Sequence, residues 1–284
     1  MRFQGFAKPS RTALGVAIRR ASHQLYDARP LVLNDPIAVP ILGKRYRPAL
    51  EEAAPSIHES FSVSMRAWLV VRNRLAEDNL AQAVRHGVRQ YVLLGAGLDT
   101  FAHRNPHPGL QVFEVDHLAT QQWKRELALS NGLPEPSCLH YVPVDFERQD
   151  LGQQLAIRSL DLAAPTVFAW LGVVPYLTHR AFRATLDLIA RFPEGSGVIF
   201  DYALPRHALA PHELEARDAL SARVQSIGEP FQLFVTREEI KLELTQFQRV
   251  EDLDARELNA RYFANRTDRL NLVGRSANIA KAWR

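Results

Sequence analysis

The spacing of hydrophobic positions changes character near residue 87. Before it, Met65, Trp68, Leu69, Leu75, Ala76 and Ala83 recur at helical spacing and form one stripe at about 100° per residue. Ser64 stands as an N-cap and Gly87 where a helix-ending glycine belongs, so the pattern predicts a helix over Ser64 to His86. After Gly87 come short β-rich runs: Gln90 to Gly95, Gln111 to Asp116, Leu139 to Asp145, Pro165 to Leu171 and Gly197 to Tyr202. Between them, His117 to Ser130, Arg148 to Ser159 and His179 to Arg191 read as helices, the last capped by Thr178, and further strands are expected around 247–250 and 276–283. Strands alternating with helices predict an α/β, doubly wound, Rossmann-like fold with a mostly parallel sheet of about seven strands, covered on both faces. No repeat or low-complexity linker divides the chain, which reads as a single domain over 1–284. Residues 1–88 form an N-terminal helical cap in this reading, and the charged stretch 204–241, between strands, an inserted helical lid.

Composition narrows the class further. The 284 residues are 46% hydrophobic and 23% charged, which excludes disordered and fibrous classes. Thirty-five Lys and Arg against 31 Asp and Glu leave a charge of +4, too mild to single out nucleic acid, and no nucleic-acid motif accompanies it. The lone Cys138 excludes an intramolecular disulfide and argues against structural zinc; no metal site is expected. No apolar run reaches the roughly 18 residues that span a bilayer, so a cytoplasmic protein without membrane partners is expected. Residues 1–26 carry Arg2, Lys8, Arg11, Arg19 and Arg20 and no acid, a composition shared with transit peptides, but the apolar pattern continues smoothly beyond them. Arg11, Arg19 and Arg20 read as a basic face, solvated or lining a positive entrance. Oligomeric state is not legible.

In a doubly wound sheet, ligands bind beyond the carboxyl ends of the strands. The first run ends in Gly95-Ala-Gly97-Leu-Asp99-Thr100, whose glycines allow close backbone approach. The second ends in Asp116, about 20 residues on, the spacing of an acid that accepts both hydroxyls of an adenosine ribose. The third ends in Asp145-Phe146, an acceptor and a ring suited to adenine. Taken singly, the glycines could serve an ordinary turn and the aspartates ordinary helix caps. In this order and strand context they point to an adenosine-bearing cofactor. Thr100 occupies the place of the third small residue of a dinucleotide fingerprint, and there is no triphosphate-cradling loop. A phosphate-free cofactor, S-adenosylmethionine, fits better. Arg72 falls within the apolar stripe, where it needs backbone carbonyls or an acid as internal partners, or a ligand carboxylate, whereas Arg74 points outward toward Glu77 and Asp78.

With these residues in view, the sequence resembles the leucine carboxyl methyltransferase-like family of S-adenosylmethionine-dependent methyltransferases, especially its bacterial O-methyltransferase branch. The resemblance is carried by Ser10-Arg-Thr-Ala13, Arg20-Ala-Ser-His23, Asp35-Pro36, Gln90 through Arg104, Glu114-Val-Asp-His117, Val142 through Glu147 and Trp170 through Thr178. It implies a class I methyltransferase fold with cofactor contacts at Gly95, Gly97, Asp99, Asp116, His117, Asp145 and Phe146, and Arg72 on the cofactor carboxylate. Many relatives carry glutamate where this chain has Leu171, so the contacts around Trp170 and Leu171 are expected to differ. The implied reaction transfers a methyl group to a carboxylate or hydroxyl oxygen of a small-molecule acceptor, a protein carboxylate remaining open. A hydroxyl would need a base, for which Tyr176, His179 and Tyr202 are placed, as is His117; a carboxylate would need none. Two other readings stay open: a non-catalytic binder of the same cofactor, motivated by Leu171, and an NAD(P)-dependent oxidoreductase, which lacks its complete glycine fingerprint here.

Overall fold

The computed structural model describes residues 9–284; Arg2 and Lys8 of the basic N-terminal segment lie outside the described residues. Its strands are β1 (Gln90–Leu94), β2 (Gln111–Asp116), β3 (Leu139–Pro143), β4 (Thr166–Trp170), β5 (Gly197–Ala203), β6 (Arg249–Leu253) and β7 (Ala277–Trp283). They form one sheet in the order β3-β2-β1-β4-β5-β7-β6. The first five are parallel, and β7 runs antiparallel to both β5 and β6. β1 and β4 are buried at every position, as continuous apolar runs in a doubly covered sheet should be. The edge strand β6 starts with exposed Arg249 and Val250. Strand order reverses between β1 and β4, and a crevice opens beyond their carboxyl ends.

The helices are α1 (Arg11–Tyr26), α2 (Arg47–Ala53), α3 (Ser60–Arg85), α4 (Leu118–Ser130), α5 (Leu151–Ile157), α6 (His179–Ile189), α7 (Pro211–Ser226), α8 (Arg237–Glu243) and α9 (Ala255–Tyr262). On one sheet face Phe168, Trp170, Phe200 and Val198 pack with α5, α6 and α8; on the other Val167, Ala169 and Ile199 pack with α3 and α9. A third cluster joins α1 and α2 to Trp123 and Leu127 of α4. Among the described residues, no helix is long and apolar enough to cross a membrane.

α3 begins four residues before the predicted cap: Glu59 is the N-cap, and Ser64 lies within the helix, where its Oγ accepts from the Val273 N–H at 2.9 Å. Hydroxyl pattern alone does not reveal such a distant partner. α5 is shorter than the stretch 148–159, because Asp150 caps it and accepts from Gln153 N. The segment 204–241 runs between β5 and β6 and contains α7, an extended stretch and the start of α8.

Two buried arginines fasten the N-terminal helices to the sheet domain. Arg66 of α3 holds Asp27, just past α1, at 2.9 Å, and Arg20 of α1 holds Asp99 at 2.9 Å. Arg20 is 3% exposed and paired with Asp35 and Asp99, so it does not belong to a solvated basic face.

Below the end of β2, Lys124 of α4 meets Glu114 at 2.5 Å, both fully buried, and burial pushes the Glu114 carboxyl up to about 7. Gln121 of the same helix donates to Glu114 O at 2.8 Å. Replacing one partner strands the other charge, so Lys124→Met should cost about 3–5 kcal/mol in urea unfolding. The double variant Lys124→Met/Glu114→Gln should recover most of that loss; an unchanged midpoint for the single variant would refute the pairing.

Candidate functional site

A cavity of about 420 Å³ lies at the carboxyl ends of β1, β2 and β4, roofed by α1 and the loop 228–232. Its floor is the loop after β1. Gly95 adopts a positive φ of 70°, and a Cβ there would stand 2.2 Å from Val173 Cγ2, so only glycine lets the two strand-end loops meet. The Gly97 N–H donates to Asp116 Oδ2 at 2.6 Å, and the His117 N–H donates to Asp116 Oδ1 at 2.7 Å. Burial pushes the Asp116 carboxyl above its usual range, partly offset by these two bonds. Each oxygen keeps a further acceptor direction, the requirement for two ribose hydroxyls.

Asp145 and Phe146 line the wall beyond β3, and Asp145 Oδ1 turns its own loop by accepting from Glu147 N at 3.0 Å. His117 is also on the wall, at the N-cap of α4. Asp99 lines the floor, but its carboxylate is committed: Arg20 donates at 2.9 Å, Asn73 at 3.0 Å and Phe101 N at 2.7 Å. Burial opposes its ionisation, yet Arg20 and Arg104 carry it below the usual carboxylate range. Thr100 donates its buried hydroxyl to Asp35 at 2.6 Å, and Arg104 pairs with the same carboxylate at 3.3 Å. The position that a dinucleotide fingerprint gives to a small residue here anchors the loop from beneath.

Arg72 reaches the cavity from α3, 7% exposed. Its Nη1 donates to Asp201 Oδ2 at 3.0 Å, while Asp201 Oδ1 accepts from the Gly172 N–H. A Cβ on Gly172 would lie 2.6 Å from Arg72 Nη1, so glycine makes room for the guanidinium. Arg72 Nε is buried without a partner, and among the described residues no hydrogen bond engages Nη2. This arginine therefore has both an internal acid and unused donors, fitting the carboxylate tail of an amino-acid cofactor. Asp201, at the end of the fifth run, was not singled out from sequence; the signal available was the same strand-terminal acid seen in the second and third runs.

Tyr176 lines the roof side, its ring 5.0 Å from Phe231, and burial pushes its phenol up to about 12. The roof is stitched by long-range bonds that sequence reading missed. Glu229 accepts from Ser10 Oγ at 3.1 Å, Arg11 N at 2.9 Å and Thr12 N at 3.3 Å, capping α1 from across the chain. Gln232 Nε2 donates to Tyr176 O at 2.6 Å.

Three positions expected at the site lie elsewhere. Trp170 is fully buried on the opposite sheet face, stacked on Phe182 at 5.5 Å, while the next residue, Leu171, lines the cavity. One step along a strand reverses the face. His179 is exposed on α6 and pairs with Glu243 at 2.8 Å. Tyr202 is buried away from the cavity and donates to Asp252 at 2.9 Å.

This geometry agrees with comparison to known proteins. The pattern of the leucine carboxyl methyltransferase family matches residues 13–190. The chain belongs to that family. It is thereby an S-adenosylmethionine-dependent methyltransferase. It is 31% identical, over 92% of its length and 94% of the relative's, to a Bacillus subtilis (strain 168) protein named "Putative S-adenosyl-L-methionine-dependent methyltransferase YktD". Its fold is similar to that of a DUF574 family protein from Streptomyces avermitilis MA-4680, with TM-score 0.54, 20% identity, and 86% of this chain and 94% of the other covered. A crystal structure described as "a putative methyltransferase from Thermobifida fusca YX" gives TM-score 0.56 at 15% identity, covering 98% of this chain and 96% of the other.

Asp116→Ala should weaken S-adenosylhomocysteine binding roughly 10- to 100-fold, the equivalent of about 1.5–3 kcal/mol for bonds to a charged acceptor. Calorimetric titration of the folded variant checks this, and unchanged affinity would misplace the ribose site. Arg72→Gln, made together with Asp201→Asn so that no buried carboxylate is stranded, should weaken S-adenosylhomocysteine about tenfold and leave adenosine affinity unaltered. Equal losses for both ligands would remove Arg72 from the tail site.

Proposed function

We propose that the chain transfers the methyl group of S-adenosylmethionine to an oxygen of a small-molecule acceptor, a carboxylate ahead of a hydroxyl. Bound in this cavity, the cofactor supplies an electrophilic methyl group on a sulfonium. Asp116 would hold its ribose, Phe146 and Asp145 its adenine, and Arg72 its carboxylate.

The observation that favours a carboxylate over a hydroxyl is the commitment of three cavity acids, Glu229, Glu147 and Asp99. Glu229 caps α1, Glu147 accepts from Thr178 N and Oγ1, and Asp99 is held by Arg20 and Asn73. The Tyr176 phenol stays protonated at neutral pH, so it donates a hydrogen bond rather than removing a proton. A hydroxyl acceptor needs a base; a carboxylate arrives ionised. The remaining work of the protein is to orient that oxygen and exclude water, which the roof formed by α1 and the loop 228–232 serves. A roofed cavity of this size favours a small molecule over a protein surface as acceptor.

Incubation with labelled methyl donor and a panel of carboxylates and alcohols tests the reading. Label should appear as base-labile methyl ester, at a kcat that is flat from about pH 7 to 10 because the phenol does not ionise there. Base-stable ethers as the only products would overturn the carboxylate assignment. Tight S-adenosylhomocysteine binding without transfer to any panel member would instead support a non-catalytic binder.

A further inference from the structure

The helix that roofs the cavity, α1, is held in two different ways along its length. Its fully buried residues, Ala17, Arg20, Ala21, Ser22 and His23, all follow Gly15, and none of Arg11 to Leu14 is buried. The later part is fixed from within the core. Arg20 donates to Asp99 at 2.9 Å, to Leu98 O at 2.9 Å and to Thr100 Oγ1 at 3.3 Å, and His23 meets Asp27 at 2.8 Å. The first turn is held chiefly by one half-buried carboxylate from the far side of the chain. Glu229 accepts from Ser10 Oγ at 3.1 Å, Arg11 N at 2.9 Å and Thr12 N at 3.3 Å, and Ser10 N reaches Thr120 Oγ1 at 3.4 Å.

Gly15 stands where these two parts meet. A glycine inside a helix leaves the backbone freer than alanine would and weakens the helix at that point. Packing does not call for it here: a Cβ on Gly15 would stand 3.5 Å from Arg19 Nη1, an ordinary contact with the end of a flexible side chain. The turn in front of it covers the cofactor site. Ser10, Thr12 and Ala13 line the cavity, and a Cβ on Gly97 would stand 3.1 Å from Ala13 Cβ, so the first turn rests on the loop after β1. Gly97 is the residue whose N–H aims Asp116. A segment with little buried surface, a half-exposed latch and a glycine behind it is the part of a helix that opens first.

We propose that the first turn of α1 is a gate over the cofactor site, hinged at Gly15 and latched by Glu229, and that S-adenosylmethionine and its product pass when the latch releases. The cofactor assignment supplies the identity of the ligand that passes; the gate itself does not depend on it. Opening gives up the three bonds to Glu229, while the Arg20 network keeps the rest of α1 and the glycine loop in place. The gate is closed both before and after the ligand enters, so changing the hinge or the latch alters the speed of exchange and not the affinity.

Stopped-flow mixing with S-adenosylhomocysteine reads both rate constants. Gly15→Ala, which stiffens the hinge, should slow association and dissociation about fivefold. Glu229→Gln, which keeps one acceptor oxygen of two and loses the charge, should quicken both at least about fivefold, with Kd nearly constant in each variant. Hydrogen exchange of the ligand-free protein should show the Thr12 and Ala13 amides better protected in Gly15→Ala and the amides from Ala17 to Ser22 unaltered. Unchanged rates in both variants, or shifts in the same direction, would overturn the gate. If S-adenosylhomocysteine fails to bind the wild-type protein, the cofactor assignment fails, and hydrogen exchange alone judges the hinge: equal protection of the first turn in Gly15→Ala and wild type would refute it.

Discussion

The hydrogen bond from the Gly97 N–H to Asp116 joins the loop after β1 to the end of β2, and the rest of the cavity is arranged around it. Parallel pairing alone sets the strands side by side; it does not determine where the following loops run. The bond does so at 2.6 Å, aiming one carboxylate while curling the glycine loop into the cavity floor. Both ends are held rigid from behind. On the loop side, Arg20 spans Asp99 and Leu98 O, and Thr100 reaches Asp35. On the strand side, Lys124 and Glu114 pair two residues before Asp116. Buried polar groups joined in a network favour one arrangement over many, which preorganises the floor before any ligand enters.

What the sequence discloses follows from the range of the interactions involved. Strand runs, their terminal acids and the helix phase that turned Arg72 inward are local patterns, and the structure brings Gly95, Gly97, Asp116, Asp145, Phe146, Leu171 and Arg72 to one cavity. Trp170 fails at the limit of local reasoning: the end of a strand run does not say which residue is the first to leave the sheet, and one step decides between core and cavity. His179 and Tyr202 were placed by proximity to strand ends, a criterion blind to the directions in which Glu243 and Asp252 draw them. Glu229 capping α1 was illegible for another reason, since its partners lie more than 200 residues earlier in the chain. Arg20 was misread likewise, because its acids, Asp35 and Asp99, sit on distant segments.

The departure at Leu171 gains a physical setting from Arg72 and Asp201. An aliphatic side chain occupies the wall where the family resemblance implies an acid, and the negative charge nearest Arg72 comes from the end of β5. Asp201 also receives the Gly172 N–H, so one carboxylate positions both the arginine and the loop that carries Leu171. The tail end of the cavity is therefore built by a buried ion pair with spare donors. The opposite side of the cavity is built by the roof, where Tyr176, Phe231 and the Glu229 loop meet α1. Under the proposed function, cofactor recognition would depend on the strand ends and the buried Arg72–Asp201 pair, and acceptor recognition on roof segments joined across the chain.

A crystal structure of the protein with S-adenosylhomocysteine is the most direct measurement of this account. The ribose hydroxyls should lie on the two oxygens of Asp116, the adenine against Phe146 and the amino-acid carboxylate on the free nitrogens of Arg72. A ligand seated outside this cavity, or one whose ribose avoids Asp116, would contradict it.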